Sequence, residues 1–441
     1  CRWHSSMFAI VAFGLLVCWS NAVGGLILAQ LKALGWTDNS TTATFSAITT
    51  AGMFLGALVG GIIGDKTGRR NAFILYEAIH IASMVVGAFS PNMDFLIACR
   101  FVMGVGLGAL LVTLFAGFTE YMPGRNRGTW SSRVSFIGNW SYPLCSLIAM
   151  GLTPLISAEW NWRVQLLIPA ILSLIATALA WRYFPESPRW LESRGRYQEA
   201  EKVMRSIEEG VIRQTGKPLP PVVIADDGKA PQAVPYSALL TGVLLKRVIL
   251  GSCVLIAMNV VQYTLINWLP TIFMTQGINL KDSIVLNTMS MFGAPFGIFI
   301  AMLVMDKIPR KTMGVGLLIL IAVLGYIYSL QTSMLLITLI GFFLITFVYM
   351  YVCYASAVYV PEIWPTEAKL RGSGLANAVG RISGIAAPYA VAVLLSSYGV
   401  TGVFILLGAV SIIVAIAIAT IGIETKGVSV ESLSIDAVAN K

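Results

Sequence analysis

Apolar runs of about twenty residues follow one another from residue 7 to residue 422, separated by short charged gaps. A helix needs ~20 mostly apolar residues to cross a ~30 Å hydrocarbon layer, and in lipid every backbone N–H and C=O must find its partner within the chain. Such a sequence folds as a bundle of membrane-spanning helices. Helical windows fall near 7–31, 43–63, 72–90, 95–117, 130–152, 164–184, 247–269, 284–305, 312–329, 334–358, 373–396 and 401–422, numbered below as spans 1 to 12. Twelve crossings need about 240 apolar residues, and 57% of the 441 residues are apolar against 12% charged. A soluble enzyme and a single-anchor receptor are both excluded. The first run is too long for a cleavable signal peptide and reads as a full span.

The positions of the charges organise the rest. The 66 residues from Arg182 to Arg247 hold 19 of the 51 charged side chains, and the net charge of +9 lies in loops, so it describes basic turns beside a membrane and no nucleic-acid-binding surface. Lys32, Arg163 and Lys281 fall on one side, Arg100, Arg133 and Arg381 lie within spans, and the other 24 of 30 basic residues fall on the opposite side. Basic loops stay on the cytoplasmic side during insertion, which makes both termini and the middle loop cytoplasmic. The domains expected are a six-helix bundle over 1–184, a cytoplasmic linker with short helices over 185–246, a second bundle over 247–424 and a tail over 425–441. Cysteines 1, 18, 99, 145, 253 and 353 have no metal or disulfide spacing and read as packing residues. No phosphate-binding loop or metal cluster is present in the sequence, and the two histidines are His4 and His80. No cofactor or metal is expected.

An internal repeat joins the two bundles. Asp65 in GDKTGRR returns as Asp306 in MDKIPRK, 241 positions on; Glu120 returns as Glu362 after 242, and Arg127-Gly128 as Arg371-Gly372 after 244. Two similar bundles around a site near the midplane can rock to open first one face and then the other, which is the physics of transport.

The run Gly61-x-x-x-Asp65-Lys66-x-Gly68-Arg69-Arg70 between spans 2 and 3 resembles the loop signature of the major facilitator superfamily. PESPRWL at 185–191, the Glu-then-ArgGly pairs after spans 4 and 10, and Glu424-Thr425-Lys426-Gly427 after span 12 are similar to its sugar-porter and organic-ion branches. The chain resembles the enterobacterial inner-membrane metabolite transport proteins of the Ydj type. The resemblance implies an all-α, twelve-span secondary transporter of the bacterial inner membrane, moving a small polar organic solute by alternating access, monomeric in the lipid bilayer and coupled to protons. Exchange and uniport remain open.

Asp65 can pair with Arg69, Arg125 or Arg127 and face a helix N-terminus, where negative charge is favoured. With Arg70, and with Glu120–Arg127 and Glu362–Arg371, it forms candidate gating latches; topogenesis and capping are the alternative role for the same charges. The second copy lacks both glycines of the first.

For the solute, the sugar-porter Gln-Gln of span 7 falls on Ala257 and Met258, the span 5 Gln on Ser135, and the span 10 GPIPW on the Tyr354 region, a departure from the hexose carriers. Arg381 lies ten residues beyond Arg371, about 15 Å along a helix, which brings it to mid-span. It resembles the helix 11 arginine of organic-anion transporters, and a bidentate grip on a carboxylate is its chemical reading; an internal salt bridge is the alternative. Trp19, Asn21, Asn139, Trp140, Trp268, Tyr349, Tyr354 and Asn377 could line the same pocket, and Asn259, Gln262, Tyr263 and Asn267 could bind hydroxyls, which keeps sugars open. Arg133 reads as snorkelling and Arg100 as packing. Glu77 and His80 lie one turn apart on span 3, as a proton relay or as a self-neutralising pair. A channel conflicts with the gating loops, and a non-transporting sensor on the same fold is the reading from another class.

Overall fold

A computed structural model of the chain describes residues 2–121, 127–216, 235–365 and 368–426, and within them the side chains of 4–114, 130, 132–216, 235–365, 368 and 371–426. Every regular element among the described residues is a helix. Nine of those helices are long and apolar enough to cross a membrane. Spans 2, 3, 4 and 6 are Asn39–Thr67, Arg69–Ala88, Met93–Tyr121 and Ala158–Tyr183. Spans 7, 8, 9 and 10 are Gly242–Thr275, Leu280–Val304, Arg310–Ser329 and Met334–Glu362.

The ninth helix, Arg371–Ile421, contains spans 11 and 12 together. Its 51 residues would reach about 77 Å if straight, and Gly399, at φ 69°, supplies the left-handed turn that divides it. Spans 1 and 5 escape the count because each is broken in the middle. Span 1 consists of Arg2–Val17 and Gly24–Ala33 around an unwound turn at 18–23, and span 5 of Arg127–Asn139 and Ser141–Leu152 around Trp140. Eight single spans, of which span 8 is interrupted at Phe292 and span 10 passes through wide turns at Cys353–Tyr359, with one double helix and two broken spans, make up the twelve.

The chain gathers into two compact units. The first holds Cys1–Val23, Ile48–Ser141 and Ser157–Asp226, and the second Gly24–Ala47, Tyr142–Ile156 and Asp227–Lys441. In the first unit, spans 2 and 4 meet backbone to backbone. A Cβ on Gly56 would sit 2.1 Å from the Val105 carbonyl, and one on Gly108 2.1 Å from that of Met53. In the second unit, spans 8 and 10 repeat this approach 241 positions on, with Gly297 against the Thr346 carbonyl at 2.3 Å. Lipid tails give helices no hydrophobic reason to associate, so close packing across small residues does that work.

Alanine at Gly56 or Gly297 therefore overpacks a backbone contact. Each is expected to cost about 1–3 kcal/mol in thermal unfolding of the detergent-solubilised protein. Gly61→Ala, where a Cβ meets nothing within 4 Å, stays within about 0.5 kcal/mol of the parent. Equal losses at all three sites would show that the glycines do not set the packing.

Candidate functional site

Two matching clamps hold the turns before spans 3 and 9. In the first unit, the Glu186 carboxylate accepts from the N–H groups of Arg69, at 2.7 Å, and Arg70, at 3.2 Å. These first-turn donors have no acceptor within their own helix. Gly68, at φ 96°, leaves room for that carboxylate, because a Cβ there would lie 2.2 Å from it. Arg69 pairs with Asp65 at 2.6 Å. The Asp65 carbonyl accepts from Trp190 Nε1 and Arg194 Nη2, both at 2.8 Å, so the linker helix Pro188–Ser193 is fastened to the same turn. Arg70 turns away from Asp65 and donates to the Trp181 carbonyl. The side chains of Glu120, Arg125 and Arg127 lie outside the described residues.

In the second unit, Glu424 takes the place of Glu186 and accepts from the N–H groups of Arg310, at 2.8 Å, and Lys311, at 3.1 Å. Glu362 grips Arg310 with both oxygens, at 3.0 and 3.1 Å, and accepts the Thr425 hydroxyl at 2.6 Å. Arg310 thus opens span 9 beside the carboxylate, and the Arg371 guanidinium lies 5.1 Å from the Tyr236 ring centre. Pro309, at φ −55°, stands where the first copy has Gly68 and starts the helix by its fixed backbone angle. Glu186, Arg310, Glu424 and Thr425 are the participants that the sequence reading leaves unassigned.

Burial raises the Glu424 carboxyl, but the N–H groups of Arg310, Lys311 and Lys426 and the Arg310 charge outweigh it and hold the group below the ordinary glutamate range. With the folded value depressed, the carboxylate's contribution is complete above the unfolded value and is lost only as pH falls through the lower folded one. Amide exchange at Arg310 and Lys311, corrected for intrinsic rate, should therefore stay level from about pH 8 to pH 5. Glu424→Gln should speed it about fivefold at pH 7, the equivalent of about 1 kcal/mol for a charge at a helix N-terminus. A wild-type change across that range as large as the variant's would contradict the clamp.

The solute candidates divide between the units. In the first, buried Trp19 and half-buried Asn21 sit in the unwound turn of span 1, while Asn139 and exposed Trp140 sit at the break of span 5, where Asn139 Nδ2 donates back to the Ser135 carbonyl at 2.8 Å. In the second, Asn259, Gln262, Tyr263 and Asn267 follow one face of span 7. Gln262 and Tyr142 stand around the Tyr349 hydroxyl, with the two tyrosine rings 5.3 Å apart; Tyr142 is an addition that the structure makes to the set. Tyr354 packs instead in a tyrosine stack, its ring 5.0 Å from Tyr359 and 5.8 Å from Tyr351. Asn377 donates to the Ser373 carbonyl at 2.9 Å, one turn before Arg381. Arg381 is partly buried, makes no ion pair among the described residues, and keeps its Nη1 buried without a hydrogen-bond partner.

Arg100 is buried to 1% and donates through Nη1 to the Ser20 carbonyl at 2.6 Å and through Nε to Thr49 Oγ1 at 3.2 Å. Arg133 is exposed, with its guanidinium over the Trp130 ring at 5.4 Å. Glu77 and His80 are both fully buried, with Nδ1 of the ring 3.6 Å from the carboxylate.

Comparison with known proteins agrees with this geometry. The Major Facilitator Superfamily model matches residues 8–388. The inner membrane metabolite transport protein YdjE of Escherichia coli is 43% identical, covering 98% of this chain and 96% of that one. The niacin transporter NiaP of Acinetobacter baylyi is 26% identical over 87% of this chain and 85% of its own. The xylose transporter XylE of E. coli, in a partially occluded inward-open conformation, superposes with a TM-score of 0.77 at 17% identity, covering 97% of this chain and all of that one. A sugar-analogue complex of XylE, described as a proton:xylose symporter, gives a TM-score of 0.69 at 18% identity over 98% of each chain. Twelve spans, the duplicated clamps and these matches together make the chain a member of the major facilitator superfamily.

Proposed function

We propose that this chain is a secondary transporter of the bacterial inner membrane that carries a small organic anion by alternating access together with a proton. The observation that carries the anion is Arg381. A guanidinium nitrogen kept buried without a partner is costly, and a carboxylate offers the planar pair of acceptors that its fork matches. The name of NiaP supports the reading, since niacin is itself a carboxylate at neutral pH. A second reading, a neutral sugar, is favoured by the amide and tyrosine face of span 7, which offers donors and acceptors but no charge.

The bundles 1–184 and 247–424 are the moving bodies, linked through 185–246, with both termini and the tail 425–441 in the cytoplasm, a reading supported by the 24 of 30 basic residues on that side. Asp65, Arg69, Arg70, Glu120, Arg127, Glu362 and Arg371 belong to the cytoplasmic gate, where the clamps keep each turn rigid as the gate works. The protein works as a monomer in the lipid bilayer.

Uptake by proteoliposomes tests this with nicotinate, D-xylose, L-arabinose and myo-inositol, each with and without an inward proton gradient. Nicotinate or a like carboxylate should accumulate and respond to the gradient. Arg381→Lys should weaken it about tenfold to a hundredfold in KM, the equivalent of about 1.5–3 kcal/mol for hydrogen bonds to a charged group, in protein that remains monodisperse. Sugar uptake indifferent to Arg381, with no carboxylate carried, would replace the anion by the sugar. Binding of any of these solutes without flux would make the protein a sensor.

A further inference from the structure

Span 3 carries two buried titratable side chains for which the solute reading has no use. Glu77 and His80 are each 0% exposed. Glu77 Oε2 and His80 Nδ1 face one another at 3.6 Å, beyond hydrogen-bond length, and neither atom has a hydrogen-bond partner. The other ring nitrogen, Nε2, meets the Ser20 hydroxyl at 2.7 Å, and Glu77 Oε1 lies 4.0 Å from Cys18 Sγ. Cys18 and Ser20 both belong to the unwound turn of span 1. From span 4, Arg100 holds the carbonyl of that same Ser20, and Gly106 brings its backbone against His80. From span 6, Arg163 is engaged with the carbonyls of Ala88 and Ser90 further along span 3. Among the described residues, the titratable groups named around the turn are Cys18, Glu77, His80 and Arg100.

We infer that Glu77 and His80 together hold the transported proton, and that Ser20 passes their protonation state to the turn that carries Trp19 and Asn21. The inference rests on the reading of the chain as a proton-coupled transporter and adds a site to it. With His80 neutral and its proton on Nδ1, on the Glu77 side, Nε2 accepts from the Ser20 hydroxyl. When a proton arrives on Nε2, the ring becomes a donor at both nitrogens, and the Ser20 oxygen must accept where before it gave. The hydrogen bond reverses at the one place where span 1 has no helical ladder to resist the change.

The charge balance gives the coupling its sign. Without the proton, the Glu77 carboxylate and the Arg100 guanidinium cancel; with it, the cluster carries one net positive charge in a buried setting. An anionic solute beside Trp19 and Asn21 is then held more tightly, and by linkage the anion tightens proton binding by the same factor. Proton and anion load together.

With only His4 and His80 in the chain, the full-length His4→Gln protein labelled with 15N-histidine and placed in nanodiscs reports one imidazole. Its ring-nitrogen shifts should change with pH, and exchange at residues 18–23 should step at the same midpoint. Glu77→Gln should lower the proton affinity of His80 about tenfold, one pH unit, and His80→Asn should flatten the exchange step. Ring shifts constant from pH 5 to 9 in the parent, or an unchanged midpoint in Glu77→Gln, would overturn the inference; should that variant not fold, the parent titration alone decides. None of these readouts uses a solute, so a failed uptake panel leaves them intact, and their failure leaves uptake of nicotinate to stand by itself.

Discussion

A backbone N–H or C=O left without a partner in hydrocarbon costs several kcal/mol, and this penalty shapes the whole chain. It makes helices of all twelve spans and decides where helices can stop. An unwound turn inside a span is tolerated only where protein or water replaces the missing ladder. In span 1, the break at 18–23 is met by a bond from the Val23 N–H to the Trp19 carbonyl and by the Arg100 guanidinium on the Ser20 carbonyl. Arg100 is thus more than the packing residue its glycine-rich surroundings suggest. It supplies the donor that the break removes, which accounts for an arginine buried to 1%. The same reasoning places Pro295 just after the interruption of span 8 at Phe292, and Pro361 after the wide turns of span 10 at Cys353–Tyr359, since each proline removes an N–H from the ladder.

The duplication is conserved between the halves at the level of backbone contact more than of side chain. Gly52 and Gly56 face the carbonyls of Phe101 and Val105, and Gly293 and Gly297 face those of Phe342 and Thr346, every member 241 positions from its counterpart. The clamps keep one function with different parts. Both set a carboxylate on the open N–H groups of a helix start, yet the first makes room with Gly68 and the second pre-shapes the helix with Pro309. The first is fastened by the linker residues Trp190 and Arg194, and the second by Lys426 Nζ on the Lys307 carbonyl at 2.7 Å. What both copies need is an acceptor at the helix N-terminus, and several side-chain arrangements provide one.

The twelve spans were legible because hydropathy reads length, and length is what a bilayer demands. The breaks were not, because a window of about twenty residues averages over an unwound turn of six. The polar run Cys18-Trp19-Ser20-Asn21 and Pro143, three residues after Trp140, were the local signals available. Glu186 and Glu424 stood in recognisable motifs, but the partners of Glu186 lie 116 and 117 residues away, and no spacing rule reaches a helix N-terminus at that distance. Pairing Glu362 with Arg371 followed sequence proximity, whereas the fold brings Arg310 to the carboxylate from 52 residues away. Glu77 and His80 were legible as neighbours one turn apart. The tie of His80 to Ser20, 60 residues back, was not.

In the second unit, neutral interactions tie the segments 24–47 and 142–156 to spans 7, 8 and 11. Ser146 bonds Thr288 at 2.8 Å and Asn287 at 3.0 Å, Asn39 bonds Ser396 at 2.9 Å, and Gly25 lies against the Ile266 carbonyl. A neutral hydrogen bond contributes about 1 kcal/mol net, so these three hydrogen bonds alone contribute about 3 kcal/mol, a population ratio of about a hundred. The charge clamps within each unit are stronger, since bonds to an ionised group are worth about 1.5–3 kcal/mol each. For a protein working by alternating access, that ordering is the useful one. A solute with about 3 kcal/mol of differential affinity can release such neutral ties, while the clamped turns stay closed.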